Sequence, residues 1–127
     1  MTTALPAPVK NGGIQSQVEN SLITATQGQK ILLRLSNLSI TEFFSLKLLG
    51  LDMKVVGMGA KQLRSSTGTI NYYKTNTVTL GGGEAVDVII DTANVAPGKY
   101  FLYSSNLNYL SNDKEDFGGI MTEIVIN

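Results

Sequence analysis

The chain has 127 residues, 43% of them hydrophobic and 16% charged, with ten Lys plus Arg balanced by ten Asp plus Glu. A chain of that length makes one domain, able to bury roughly 65% of its unfolded surface. Its formal net charge of zero excludes the bulk field that gathers nucleic acid, anionic membranes or acidic substrates. It contains no His and no Cys, which excludes structural zinc, iron–sulfur clusters, Ser-His-Asp triads and Cys-His pairs, because each needs a thiolate or an imidazole that titrates near neutrality.

Residues 1–19 form a polar lead with Pro6-Ala7-Pro8 and Asn11-Gly12-Gly13, a linker or lead-in strand by composition. The domain is expected over residues 20–127. No segment approaches the ~18 apolar residues of a membrane-spanning helix, and the first residues hold no apolar run long enough for a signal peptide. Strands are expected at residues 22–26 and 30–35, the second with Ile31, Leu33 and Leu35 alternating against Leu32 and Arg34. Two more are expected at residues 43–49 and 53–56, the first ended by Gly50 and the second by Gly57 and Gly59. Residues 60–75 read as a polar, irregular excursion in which residues 59–63 have room for one helical turn.

Strands resume at residues 77–80 and 84–91, joined by Gly81-Gly82-Gly83, with Val86, Val88 and Ile90 on one face and Asp87 on the other. Val95-Ala96-Pro97-Gly98 is a turn by composition, and it launches a strand at residues 99–104. A long loop over 106–119 precedes a closing strand at 120–126. Eight short strands without an amphipathic helix predict an all-β fold, an antiparallel sandwich.

Several segments carry a family resemblance. Gly28-Gln29-Lys30-Ile31-Leu32-Leu33-Arg34-Leu35-Ser36-Asn37 resembles the G-x-x-x-x-x-R-x-x-N strand of multicopper oxidase cupredoxin domains. Lys47-Leu48-Leu49-Gly50-Leu51-Asp52-Met53-Lys54-Val55-Val56 is similar to their H-L-H-G-x-x-M-x-V-V segment. Gly83-Glu84-Ala85-Val86-Asp87-Val88, Pro97-Gly98-Lys99-Tyr100 and Gly118-Gly119-Ile120-Met121-Thr122 resemble the P-G-E-x-x-D-V, P-G-x-W/Y and G-G-M-x-T elements. The resemblance covers residues 20–127 and implies a cupredoxin-like Greek-key β-sandwich of about eight strands, periplasmic or extracellular in location.

In the family's C-terminal domain, a His-x-x-His-x-His motif and a His-Cys-His-x-x-x-His motif with an axial Met supply copper ligands. Laid on this chain, the resemblance puts Phe44, Lys47 and Leu49 at the first three His positions. It puts Tyr103, Ser104, Ser105 and Tyr109 at the His, Cys, His and last His, and Ile120 at the axial Met. Such copper needs a thiolate and imidazoles, so the replacements imply a domain without cofactor, metal ligands or catalytic residues, its vacated pocket filled by apolar volume.

Other candidates read more plainly. Tyr72, Tyr73, Tyr103 and Tyr109 read as core or half-buried strand residues rather than a redox cluster, and Ser104-Ser105 as a strand end rather than a nucleophile. Asp113, Glu115 and Asp116 around Lys114 do not follow a calcium-loop spacing and read as a solvated loop. Gly81-Gly82-Gly83-Glu84 reads as a flexible turn rather than a phosphate cradle. Lys47 falls on the face opposite Phe44, Leu46 and Leu48, reaching solvent or a carboxylate, with a reactive amine as the alternative. Asn37-Leu38-Ser39 fits the glycosylation pattern.

Three functional readings follow. The domain is a copper-free structural or interaction module whose partners are sister cupredoxin domains or a second copy. Alternatively it belongs to a working oxidase whose ligands lie in other domains or chains. Or it binds a small ligand or carbohydrate through loop aromatics, for which Tyr72 and Tyr73 are the candidates.

Overall fold

Alternation of apolar and polar residues builds nearly every long element. The computed structural model describes residues 19–112 and 118–127. Its strands are β1 (Ile23–Ala25), β2 (Lys30–Ser36), β3 (Phe44–Leu49), β4 (Met53–Met58), β5 (Lys61–Gln62), β6 (Tyr73–Thr75), β7 (Thr77–Leu80), β8 (Ala85–Asp91), β9 (Gly98–Ser104) and β10 (Met121–Ile126), with one 3₁₀ turn at Leu107–Leu110. The first sheet runs β1-β10-β9-β3-β7 and the second β2-β8-β4-β5, with β6 on the remaining length of β4. The chain crosses repeatedly between the two sheets, as a Greek-key sandwich requires. No described helix is long and apolar enough to cross a membrane.

Both sheets point their apolar residues inward. On β8, Val86, Val88 and Ile90 are buried, and they stand opposite Leu35, Leu33 and Ile31 of β2. Met53 and Val55 of β4, Leu48 of β3, Leu102 of β9 and Ile124 and Ile126 of β10 complete the core between the sheets. Each such side chain contributes about 1.5–3 kcal/mol on burial. The outward positions of β2 and β8 carry Arg34 and Asp87, whose charged groups meet at 4.0 Å.

Three expectations change. Residues 60–75 hold two short strands rather than an irregular excursion, because β4 is long enough to pair with β5 at Gly57 and Met58 and with β6 from Met53 to Val55. The described residues thus hold ten strands, close to the eight or so expected, and residues 59–63 enter a hairpin instead of a helical turn. β1 pairs with β10 in parallel, through Ile23↔Ile124 to Ala25↔Ile126, so the sandwich is not wholly antiparallel. Both ends of the domain share that edge, where Gln27 N–H donates to the Asn127 carbonyl at 2.8 Å and the Thr122 hydroxyl to the Ser21 carbonyl at 2.6 Å.

Asn37 is the third change. Its side chain is buried, and its Nδ2 donates to the carbonyls of Glu42 and Leu80 at 2.9 and 2.8 Å. Its Oδ1 accepts from Ser39 N–H at 2.8 Å. Its backbone donates to the Glu84 carbonyl and accepts from Gly83 N–H. A glycan has no free amide to attach to. The neighbouring glycines serve the same clasp: a Cβ at Gly82 would collide with the Ser39 carbonyl, and one at Gly81 would stand 2.8 Å from the Phe43 ring. Gly81 and Gly82 thus lie against the loop from Ser39 to Phe43, while a Cβ at Gly83 would meet nothing.

Two stability outcomes follow, both readable by urea denaturation. Ile124→Ala is expected to cost about 2–5 kcal/mol, against less than about 0.5 kcal/mol for Leu32→Ala on the exposed outer face. Asn37→Asp, which sets an acceptor against two carbonyls, is expected to cost about 2–3 kcal/mol or more.

Candidate functional site

The eight positions singled out in the sequence fall on two neighbouring strands and the loop beyond them. β3 and β9 pair antiparallel, with Leu46↔Ser104, Lys47↔Tyr103, Leu48↔Leu102 and Leu49↔Phe101. Strand periodicity of two then sorts side chains to opposite faces. Phe44, Leu46, Leu48, Leu102 and Ser104 belong to the inward set, and Lys47, Leu49, Tyr103 and Ser105 to the outward one.

Inward, four of the eight converge at one end of the sandwich. The Phe44 and Tyr109 rings meet edge to face, with centroids 5.1 Å apart and planes at 65°, a contact worth about 0.5–1.5 kcal/mol beyond its area. Ser104 is fully buried, and its N–H donates to the Ile120 carbonyl at 3.0 Å. Ile120 in turn donates its N–H to the Tyr109 carbonyl at 2.7 Å. Gly119 makes this approach possible, since a Cβ there would overlap the Tyr109 carbonyl. Beside the cluster lies a cavity of about 350 Å³ lined by Asn37, Leu38, Phe44, Leu46, Leu80 and Ile120. Among the described residues the Ser104 hydroxyl has no hydrogen-bond partner.

The outward four do not form a site. Lys47 is half-buried and Leu49 and Ser105 are exposed; no ion pair of Lys47 occurs among the described residues. Glu123, on the outward side of β10 opposite Phe101, carries the other orphaned atom, its buried Oε2. No described cluster of acidic residues has the makings of a metal centre. Asp113, Lys114, Glu115 and Asp116 lie outside the described residues. Tyr72 is half-buried and accepts a hydrogen bond from Gln62 Nε2. Tyr73 is exposed and lines, with Met58 and Glu84, a cavity of about 430 Å³ along the free edge of β7.

A family model described as multicopper oxidase matches residues 6–127. The chain belongs to the multicopper oxidase family. Among solved structures it is similar to the multicopper oxidase mgLAC, at 23% identity and a TM-score of 0.69, over 83% of this chain and 30% of that one. The blue copper oxidase from Nitrosomonas europaea is 25% identical with a TM-score of 0.68, over 86% of this chain and 31% of the other. A laccase from Botrytis aclada is 21% identical with a TM-score of 0.62, over 82% and 18%. The chain thus spans less than a third of each of these proteins. No curated protein sequence matches it.

Multicopper oxidases use copper, and the inward cluster does not fit that metal. Its side chains offer an unpartnered hydroxyl, a phenol, a phenyl ring and a branched alkyl group. No thiolate or imidazole stands anywhere in the 127 residues. The soft thiolate and the imidazoles that hold such copper have no counterpart here, so this multicopper oxidase domain supports no copper-dependent step at the cluster.

The orphaned hydroxyl gives a direct check on this interior. A buried polar group left unpaired costs about 1–3 kcal/mol. Ser104→Ala is therefore expected to raise the urea midpoint by about 1 kcal/mol equivalent, in contrast to the loss expected where a serine is hydrogen-bonded.

Proposed function

We propose that residues 20–127 form a copper-free, non-catalytic cupredoxin domain that serves as a structural or interaction module, packing on sister cupredoxin domains or on a second copy of itself. The observation that carries this reading is the convergence of Phe44, Ser104, Tyr109 and Ile120 in one cluster. By the family resemblance these are the positions of the two imidazoles, the thiolate and the axial ligand of a type 1 copper. Aromatic and aliphatic volume now occupies that end of the sandwich, and close packing supports the strands that a metal would otherwise tie together. Lys47, Leu49, Tyr103 and Ser105 are, on the same reading, the vestiges of the second ligand group on the outer face. Family membership favours a location outside the cytoplasm.

A second reading keeps the domain inside a working oxidase whose ligands lie in other domains or chains. It draws on the share of the relatives that this chain spans, 30% and 31% for the first two. His-x-His motifs on flanking sequence or on a partner chain are the feature that separates the two readings.

Copper loading followed by metal analysis and visible absorption tests the proposal. The expected outcome is substoichiometric copper and no intense charge-transfer band. Stoichiometric copper with such a band in the unaltered chain would overturn it. The positional assignment is tested by the combined variant F44H/S104C/Y109H/I120M, which is expected to gain copper affinity and an intense visible band, whereas the same four substitutions moved one residue along each strand are not.

A further inference from the structure

The two ends of the sandwich differ in character. At one end the turns are polar: the buried Thr92 hydroxyl accepts from Gly28 N–H at 2.9 Å and donates to the Gln29 carbonyl at 2.6 Å. At the other end, the loop between β2 and β3 holds Leu38 at 89% exposure, Ile40 at 97% and Phe43 at 73%, and the nearby 3₁₀ turn holds Leu107 at 65%. The remaining exposed large apolar side chains, such as Leu32, Met58 and Ile70, are scattered over other strands and loops. Clustered apolar exposure of this kind marks an interaction surface, while single exposed residues do not.

The apolar loop is also held rigid. Asn37 clasps it from within, the Ser39 hydroxyl donates to the Glu42 carbonyl at 2.7 Å, and Gly81 and Gly82 admit Phe43 and the Ser39 carbonyl at close range. These contacts tie down the loop's backbone with its apolar side chains exposed, so less backbone ordering entropy remains to be lost on binding. Among the described residues, 36–44, 80–85, 104–112 and 118–121 build this end, and the charged side chains among them are Glu42 and Glu84. One oxygen of Glu84 is already held by Gly81 N–H at 2.6 Å.

We propose that this apolar end, centred on Leu38, Ile40 and Phe43, is the contact surface of a two-fold dimer of the chain. The proposal rests on the copper-free interaction-module reading and names its partner. Burying four such side chains removes about 300–500 Å² of apolar surface per copy. Two copies together bury about 600–1,000 Å² of apolar surface, and interfaces are about 60% apolar, which gives a total of about 1,000–1,700 Å². That reaches the size of a specific interface. The described residues of the patch include no Lys or Arg with which to select an acidic partner, and a chain of zero net charge meets no bulk repulsion from its own copy. An isologous contact pairs the same patch with itself and closes at two subunits.

Sedimentation analysis of the 127-residue chain over the micromolar to millimolar range tests this. A concentration-dependent monomer–dimer equilibrium is expected, holding or tightening as salt is raised, because screening relieves the Glu42 carboxylates. Ile40→Glu and Leu38→Glu, both at positions without packing against the core, are expected to weaken it at least about tenfold, with circular dichroism unchanged. Leu32→Glu on the outer face of the second sheet is expected to leave it intact. A monomer at every concentration, a dimer indifferent to Ile40→Glu, an equal effect of Leu32→Glu, or open-ended assembly would each overturn the proposal. Copper loading of the same samples separates the two readings: a copper-free monomer removes only the dimer, and a copper-binding chain removes the reading beneath it.

Discussion

A single buried amide ties this sandwich together at the end where its chemistry would be. Asn37 directly follows β2, yet its side chain reaches the carbonyl of Leu80 on the first sheet, and its backbone pairs with Gly83 and Glu84, which lead into β8 of the second. Every hydrogen-bonding group of that amide has a partner except one lone pair of its oxygen, which is how a polar group can be buried without net cost. The clasp fixes where β3 begins, and thereby where Phe44 enters the interior. It also fixes which way the loop from Leu38 to Phe43 faces. The rigid apolar end and the inward cluster are two results of one constraint.

Within that frame, the β3–β9 register decides what the interior can do. Leu46 opposite Ser104 brings the first strand's inward residues against the last inward residue of the second. The loop after β9 then folds back through Tyr109 and Ile120 to close the cluster. A family that binds copper uses such a convergence because metal ligation draws several strands to one point. Here the same convergence is held by an aromatic edge-to-face contact and backbone hydrogen bonds. The core proper, from Leu48 through Val88 and Ile90 to Ile124, lies elsewhere between the sheets and includes none of the eight positions.

The interior cluster has no ionisable pair, no soft donor and one idle hydroxyl, whereas the end of the sandwich above it displays nearly bare Leu38 and Ile40 on a loop that does not yield.

Much of this was legible in the residues. The period-two alternation of Ile31, Leu33 and Leu35, and of Val86, Val88 and Ile90, marks strands because side-chain direction is a local property of extended backbone. The family resemblance singled out the eight positions, and a chain without His or Cys puts no imidazole or thiolate at any of them. Proximity, by contrast, depends on register between segments far apart in sequence. Only the tertiary structure could show that Phe44, Ser104, Tyr109 and Ile120 meet while Lys47, Leu49, Tyr103 and Ser105 face away, that β1 lies parallel to β10, and that residues 60–75 add two strands by pairing with β4. Burial is likewise non-local: Asn37 looked like a glycan site until its amide proved an internal clasp, and only packing shows that Gly81 and Gly82 lie against the loop from Ser39 to Phe43.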